Sequence, residues 1–205
     1  MNLLLPRLYP ILDRGYFADG GRLLAAAEEL LAAGVTVLQY RNKNGSARQM
    51  LDEAMQLRAL IQNRAQFFMN DRADLAVAAG CDGVHVGQDD LSPEGARRVI
   101  GNQMWLGVST HNPEQLRLAD ATSADYLAIG PVFQTSSKEK PDPVVGLEGV
   151  RLARSQTRKP VVAIGGITRA NARSVIDAGA DSVAVIANLL HNPRKSAEEF
   201  FRILR

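Results

Sequence analysis

Short aliphatic segments alternate with longer helical segments eight times along the 205 residues, and this alternation restricts the fold more than any other feature of the sequence. Strands that alternate with helices indicate a parallel sheet, because each helix carries the chain back to the start of the next strand. The predicted strands are 8–12, 35–40, 66–69, 83–86, 104–108, 126–129, 161–164 and 182–186. The predicted helices are 21–33, 46–63, 72–79, 92–100, 113–119, 147–154, 170–178 and 194–204.

Eight strand and helix units close naturally into a barrel, so the sequence predicts an α/β protein, a single-domain (β/α)₈ TIM barrel over residues 1–205. Boundary residues support the helices, because Ser92-Pro93 and Asn112-Pro113 each combine an N-cap with proline at the first helical position. The competing architecture is an open doubly wound sheet. However, no G-x-G-x-x-G motif follows the first predicted strand, and no G-x-x-x-x-G-K-[ST] motif is present. We therefore expect a closed barrel without a second domain.

The overall charge gives no sign of a nucleic-acid or membrane partner. Lys and Arg number 24 against 22 Asp and Glu, a formal net charge of +2, so any anion site must be local. The single cysteine, Cys81, suits a reducing compartment. Neither a basic leader nor a membrane-spanning apolar stretch occurs, and a cytoplasmic location is expected. Composition leaves open whether the chain forms a homo-oligomer.

Polar residues cluster directly after the predicted strands. In a (β/α)₈ barrel the loops that follow the strands share one rim and form the active site. Gln39, Arg41 and Lys43 occupy alternate positions, so in an extended segment their side chains point to one face. An unpaired cation is costly to bury, and a bound phosphate or pyrophosphate would compensate for it. The alternative is that Arg41 and Lys43 form salt bridges with nearby carboxylates or face solvent.

Two aspartates suggest a metal site. Asp71 and Asp90 follow the third and fourth predicted strands, which are neighbours in a barrel, so their carboxylates could approach each other. Such a pair suits Mg²⁺, which prefers one or two carboxylates together with water and ligand phosphate oxygens. The alternative is that both residues are helix caps, Asp71 before Arg72 and Asp90 before Ser92. Asp89 faces the other way in the alternation and is expected to be solvated.

A second anion site is indicated after the later strands. Gly165 and Gly166 end the seventh predicted strand and leave backbone amides uncovered by side chains, where barrels often bind phosphate. Thr168 is expected to cap the helix that follows, which would add amides at a helix N-terminus. The other candidates at this end of the rim are Thr135, Ser137, Lys138, Ile186 and Ala187.

Two histidines are candidates for proton chemistry. His85 lies within the fourth predicted strand and points either into the barrel or into the helix layer. The sequence fits a core histidine with satisfied hydrogen bonds at least as well as a catalytic histidine. His111 follows Ser109 on the rim and is the better catalytic candidate, although a loop or capping role explains it equally well. Trp105, within the fifth predicted strand, is expected to pack against helices.

The polar segments form an ordered set of motifs. They are QYRNK at 39–43, NDR at 70–72, DGVHVGQDD at 82–90, GPVF at 130–133, TSSK at 135–138 and AIGGI at 163–167. In this order and spacing the chain resembles the thiamine-phosphate synthase family from about residue 8 to residue 190. The resemblance implies a (β/α)₈ barrel transferase that joins 4-amino-2-methyl-5-hydroxymethylpyrimidine pyrophosphate to a thiazole phosphate. Such an enzyme releases pyrophosphate and forms thiamine phosphate with Mg²⁺.

By position, the resemblance also implies the role of each site residue. Contacts to the pyrimidine pyrophosphate would come from Gln39, Arg41, Lys43, Asn70, Ser109 and Lys138, and the catalytic members of this group would be Arg41, Lys43, Ser109 and Lys138. Contacts to the thiazole phosphate would come from Thr135, Ser137, Gly166, Ile186 and Ala187. The Mg²⁺ ligands would be Asp71 and Asp90. Stabilisation of the departing pyrophosphate and alignment of the two substrates would supply most of the rate, without a protein nucleophile.

The sequence departs from the family pattern at two positions. Ala187 stands where the family commonly has serine, so a hydroxyl to the thiazole phosphate is missing, whereas Ser137 replaces a frequent threonine and keeps the hydroxyl. The nearest alternative function is the related thiazole tautomerase, in which His111 would transfer a proton. That type lacks the Asn-Asp pair and the Gln-acid-Asp segment, both intact here at Asn70-Asp71 and at 88–90. A non-catalytic sensor of phosphorylated ligands is a further alternative, but a sensor needs no metal.

Overall fold

The described part of the chain, residues 5–135 and 142–205, forms a closed barrel in this computed structural model. Its strands are β1 (Leu8–Asp13), β2 (Val37–Arg41), β3 (Gln66–Asn70), β4 (Gly83–Val86), β5 (Trp105–Thr110), β6 (Tyr126–Ile129), β7 (Val161–Ile164) and β8 (Ser182–Val185). Successive strands pair in parallel, and β8 pairs in parallel with β1. The predicted (β/α)₈ architecture is confirmed, and the open sheet is excluded.

Helices surround the barrel. They are α1 (Gly20–Ala32), α2 (Ala47–Ile61), α3 (Ala73–Ala78), α4 (Pro93–Ile100), α5 (Pro113–Asp120), α6 (Gly146–Gln156), α7 (Ala172–Asp177), α8 (Ala187–Leu190) and α9 (Pro193–Ile203). The predicted caps of α4 and α5 are present, because the side chains of Ser92 and Asn112 accept hydrogen bonds from the amides three residues later, at 3.1 and 2.9 Å. Among the helices of the described residues, none is long and apolar enough to cross a membrane.

The chain around β7 and β8 differs from the sequence-based prediction. β8 ends at Val185, and the four-residue helix α8, which was not predicted, follows after Ile186. Helix α7 begins at Ala172 rather than at residue 170, and the prediction that Thr168 caps it is wrong. Instead, the Thr168 amide donates to Asn171 Oδ1 at 2.7 Å. Asparagine and threonine side chains both bond nearby backbone groups, so the sequence did not distinguish which one closes this turn.

Three aspartates join neighbouring strands at the amino end of the barrel. Asp82, Asp125 and Asp181 precede β4, β6 and β8, and each accepts a hydrogen bond from a backbone amide of the preceding strand at 2.7–2.8 Å. Each also pairs with an arginine of α2, α4 or α6, at 2.7–2.8 Å. Polar groups at this face of a barrel stabilise the fold and leave the opposite face to the active site.

The barrel interior is filled by side chains that alternate along each strand with those facing the helices. The buried interior cluster consists of Tyr9, Ile11, Val37, Phe68, Tyr126, Ala128, Val162 and Ala184. Trp105 packs against this cluster, so the prediction that it packs against helices is wrong. Strands of a parallel barrel are buried on both faces, and the sequence therefore does not reveal which face is interior. Gly107 and Ser109 share the inward face of β5 with Trp105, which directs Ser109 towards the mouth of the barrel.

Candidate active site

A cavity of about 640 Å³ opens at the carboxyl ends of the strands, where the polar rim residues are predicted to meet. The candidate residues that lie in the described part of the chain all line it: Gln39, Arg41, Lys43, Asn70, Asp71, Asp90, Ser109, Thr135, Gly166, Ile186 and Ala187. Two further candidates, Ser137 and Lys138, lie outside the described residues. The two predicted anion sites therefore belong to one cavity.

The cavity cations Arg41 and Lys43 each pair with a carboxylate. Arg41 bonds Asp13 at the end of β1, and Lys43 bonds Asp71. Asp13 is only 5% exposed, and its second carboxylate oxygen accepts a hydrogen bond from the Gly15 amide at 3.0 Å, so its position is fixed from two sides. The salt-bridge alternative is thus confirmed as a description of these side chains. Sequence reasoning missed Asp13, although it is in phase with the inward residues of β1.

The two predicted metal ligands are adjacent. Asp71 has a φ of +64°, in the left-handed region where residues other than glycine are uncommon and where functional sites concentrate strain. Asp90 accepts a hydrogen bond from the Gly87 amide at 2.8 Å, and its carboxyl group lies beside that of Asp71. Burial, and then the neighbouring Asp71 carboxylate, raise the pKa of Asp90 above its usual range. A cation between the two carboxylates would relieve this repulsion.

The alternative that these aspartates cap helices is wrong. The residue before α3 is Arg72, without a side-chain cap, and α4 is capped by Ser92. In residues 5–135 and 142–205 there is no group of three or more His, Cys, Asp or Glu that could hold a metal. The pair of carboxylates nevertheless fits Mg²⁺, because this ion takes one or two carboxylates and completes its coordination with water and substrate phosphate oxygens.

A continuous chain of hydrogen bonds crosses the cavity floor. Gln39 Nε2 donates to the Tyr9 hydroxyl at 3.2 Å, and the hydroxyls of Tyr9 and Tyr126 are 2.9 Å apart. The Tyr126 hydroxyl lies 2.9 Å from His85 Nδ1, and His85 Nε2 lies 2.8 Å from Ser109 Oγ. Burial lowers the pKa of His85 to about 4, so the imidazole is neutral at pH 7. Of the two orientations left open for His85, the structure has the one that faces the barrel interior.

Sequence reasoning missed the two tyrosines of this floor, Tyr9 and Tyr126. Both are at most 1% exposed and lie on strands that are distant in sequence. Their signal was weak, because a tyrosine in a strand buried on both faces is read as a packing residue unless its inward orientation is known.

The loops after β6 and β7 pack closely and shape the second half of the cavity. The Val132 and Phe133 amides donate to the carbonyl oxygens of Ile164 and Gly165 at 2.9 and 3.0 Å, which extends the β6–β7 pairing beyond the strands. Gly166 has a φ of +64°, and a Cβ there would lie 2.8 Å from Phe133 Cβ. Only glycine therefore permits this approach, which brings the backbone of the β7 loop next to the segment that leads to Thr135.

His111 connects the rim to the loop after β6. Its Nδ1 lies 2.6 Å from the Gly130 carbonyl oxygen, and its Nε2 lies 3.5 Å from the Asp142 carboxylate. A carbonyl oxygen only accepts hydrogen bonds, so Nδ1 carries a proton. Both ring nitrogens thus face groups of this loop, which favours the loop-residue interpretation over that of a general base.

With the geometry established, comparison with known proteins identifies the family. A family model described as thiamine monophosphate synthase matches residues 8–189. The chain belongs to the thiamine monophosphate synthase family. Its resemblance to thiamine-phosphate synthases, drawn from the ordered motifs, is confirmed.

Relatives in the thiamine monophosphate synthase family match nearly the whole chain. A protein of Koribacter versatilis named thiamine-phosphate synthase is 61% identical, and the match covers 99% of this chain and 98% of the relative. A Chloroflexus aurantiacus protein with the same name is 46% identical, with 88% and 83% covered. A solved structure of thiamine phosphate pyrophosphorylase from Pyrococcus furiosus is 34% identical with a TM-score of 0.86, covering 97% of this chain and 95% of that one.

Proposed function

We propose that this chain condenses 4-amino-2-methyl-5-hydroxymethylpyrimidine pyrophosphate with a thiazole phosphate, giving thiamine phosphate and pyrophosphate. The observation that carries this proposal is the single cavity in which paired carboxylates, two cations, a neutral polar floor and a glycine-lined loop meet. Membership of the thiamine monophosphate synthase family, with a named synthase 61% identical over the whole chain, supports the same reaction.

The pyrophosphate of the first substrate would lie against the cations and the metal. When bound between Asp71 and Asp90, Mg²⁺ would supply charge neutralisation for a pyrophosphate leaving group. Lys43 pairs with Asp71, and we expect it to turn to the pyrophosphate when Asp71 serves as a metal ligand. Arg41, held by Asp13, needs no such movement and offers its remaining N–H groups. Further contacts in this half are assigned to Gln39, Asn70, Ser109 and Lys138.

The neutral floor suits the pyrimidine ring. Tyr9, His85 and Tyr126 present aromatic faces and uncharged polar groups, with ring centroids 5.5–6.0 Å apart. An uncharged floor accepts a heteroaromatic ring without a desolvation penalty for a fixed charge, and it leaves the pyrophosphate directed to the charged rim. Asn70 Nδ2 is buried with no hydrogen-bond partner in the described structure, so a substrate acceptor atom would satisfy it.

The thiazole phosphate would occupy the other half of the cavity. Gly166 lines the cavity and has no side chain of its own, and Ile186 and Ala187 lie at the start of α8. Thr135 and Ser137 are assigned as hydroxyl donors to the same phosphate. Because Ala187 has no hydroxyl, this site would depend on backbone donors at that position.

Catalysis would rest on electrostatics and alignment. Departure of pyrophosphate develops negative charge at the rim and positive charge on the pyrimidine methylene, which the thiazole nitrogen then attacks. Fixed donors aimed at a developing charge, and two substrates held in one cavity, supply rate without a covalent enzyme intermediate. Ser109 and the cations Arg41, Lys43 and Lys138 are the residues proposed to carry this stabilisation.

The decisive experiment is incubation of the pure protein with both substrates and Mg²⁺, followed by measurement of pyrophosphate and thiamine phosphate. We expect equal amounts of the two products, and loss of both on chelation of the metal. Asp71→Asn should reduce the rate on the order of 100-fold. Asp74→Asn is the matched control, because Asp74 lies three residues later and pairs with Arg72. If no thiamine phosphate forms, the proposed reaction is overturned. If Asp71→Asn and Asp74→Asn have the same rate, the assignment of Asp71 as a metal ligand is overturned.

Thiazole tautomerase activity through His111 is less well supported. A general base needs a free lone pair near the substrate, whereas Nδ1 of His111 bonds the Gly130 carbonyl and Nε2 faces Asp142. Proton exchange on thiazole phosphate that disappears in His111→Asn would establish the tautomerase reaction. Binding of both phosphates without turnover would instead support a ligand sensor.

A further inference from the structure

The hydrogen-bond chain on the cavity floor runs from Gln39 to Ser109. The Gln39 end determines which atom donates and which accepts in every bond of the chain. Gln39 Nε2 is an amide nitrogen and can only donate, so the Tyr9 oxygen accepts from it. Tyr9 is 1% exposed, and among the described residues its hydroxyl bonds Gln39 and Tyr126. A buried hydroxyl proton without an acceptor is costly, so the Tyr9 proton goes to the Tyr126 oxygen.

The remaining proton positions follow in order. Because the Tyr126 oxygen accepts from Tyr9, its own proton is free to bond His85 Nδ1 at 2.9 Å. Nδ1 is therefore the acceptor nitrogen of the imidazole. A neutral imidazole carries one proton, which must then lie on Nε2, 2.8 Å from Ser109 Oγ. His85 donates to Ser109 in this arrangement.

We infer that His85 is a positioning residue that presents the Ser109 hydroxyl as a hydrogen-bond donor to the substrate. With one Ser109 lone pair engaged by His85, the serine proton is not used within this chain of hydrogen bonds, and Ser109 lines the cavity where the pyrophosphate is proposed to bind. In the opposite order, Ser109 would donate to His85 and turn oxygen lone pairs towards an anion. The identity of that anion rests on the proposed synthase function. The proton positions along the chain do not depend on that function.

Two near-isosteric variants of His85 separate its contacts. The amide nitrogen of His85→Gln reaches the position of Nε2 and can still donate to Ser109. The amide of His85→Asn reaches the position of Nδ1, near Tyr126, and cannot reach Ser109. Because both variants remove the ring, they are compared with each other: we expect kcat of His85→Asn to be lower than that of His85→Gln on the order of tenfold, with a smaller difference in KM for thiazole phosphate.

A double-mutant cycle tests whether His85 acts through Ser109. We expect His85→Asn to lower kcat in the original chain but to change it less than twofold in a Ser109→Ala background, because the group being positioned is absent there. An equal loss in both backgrounds, or equal kcat for the Asn and Gln variants, would overturn the inference. Thermal unfolding of each variant shows whether a lost rate comes from lost folding.

The proton order has an independent readout. In ¹⁵N-histidine-labelled protein without substrates, long-range ¹H–¹⁵N correlation should show His85 protonated at Nε2 and unprotonated at Nδ1. Protonation at Nδ1 contradicts the inference whatever the variants do. If this tautomer is found and the protein makes no thiamine phosphate, the proposed function fails while the assigned proton order stands.

Discussion

Gly107 is predicted to be required for full stability, because the rings of the cavity floor occupy the space that a side chain would need. It lies on the inward face of β5, opposite Tyr126 of β6. A Cβ at this position would lie 2.5 Å from His85 Nδ1 and closer still to the Tyr126 ring. Ordinary carbon contacts are about 3.5–4.0 Å, so Gly107→Ala creates an overlap on the order of 1 Å.

The overlap cannot be relieved cheaply. Tyr126 is fully buried, and its ring packs edge-on against Phe68 with centroids 6.0 Å apart. Overpacking a core by one methyl group costs about 1–3 kcal/mol. Displacement of Tyr126 would also break its bond to His85 and leave buried polar atoms unsatisfied, at about 1–3 kcal/mol more. We therefore expect Gly107→Ala to lower the free energy of unfolding by about 2–6 kcal/mol.

Thermal unfolding followed by circular dichroism measures this effect. For a chain of this size, each kcal/mol lost from the free energy of unfolding lowers Tm by about 2–4 °C. The Tm of Gly107→Ala should therefore be at least about 4 °C lower than that of the original chain. Gly20→Ala is the control, because the nearest atom to a Cβ there is 3.9 Å away and Gly20 lies in the first turn of α1. Its Tm should change little or rise. A Gly107→Ala protein with unchanged Tm would refute the steric reasoning and the assigned inward face of β5.

Three further variants test other parts of the structure. Asp125→Ala removes the acceptor of the Leu106 amide and the salt-bridge partner of Arg97. Urea unfolding should show a free energy of unfolding lower by about 1–3 kcal/mol, and steady-state kinetics should show an unchanged kcat. Asp13→Asn should raise KM for the pyrimidine substrate on the order of tenfold, because Arg41 loses its anchor; unchanged KM would contradict this role. Ala187→Ser should lower KM for thiazole phosphate severalfold by adding a donor to a charged acceptor, and an unchanged KM would place that phosphate elsewhere.

Much of this protein could be predicted from local sequence. The alternation of short aliphatic and longer helical segments determines the number and order of the strands, since the hydrophobic period reflects local geometry. Cap residues such as Ser92 and Asn112 mark helix starts for the same reason, because each bonds an amide only three residues away. The carboxyl ends of parallel strands meet at one rim, so the shared position of Arg41, Asp71 and Asp90 followed once the barrel was predicted.

Tertiary structure alone decided which faces of the strands meet inside the barrel. A parallel strand with apolar residues on both faces carries no period-two signal, and this is why Trp105 was assigned to the helix layer and the tyrosines of the floor were missed. The hydrogen bond between Tyr9 and Tyr126 joins residues 117 positions apart, and the salt bridge between Asp13 and Arg41 joins register partners on the adjacent strands β1 and β2. Such pairs form only when the strands assemble in their register, because no interaction within a single strand or helix specifies them.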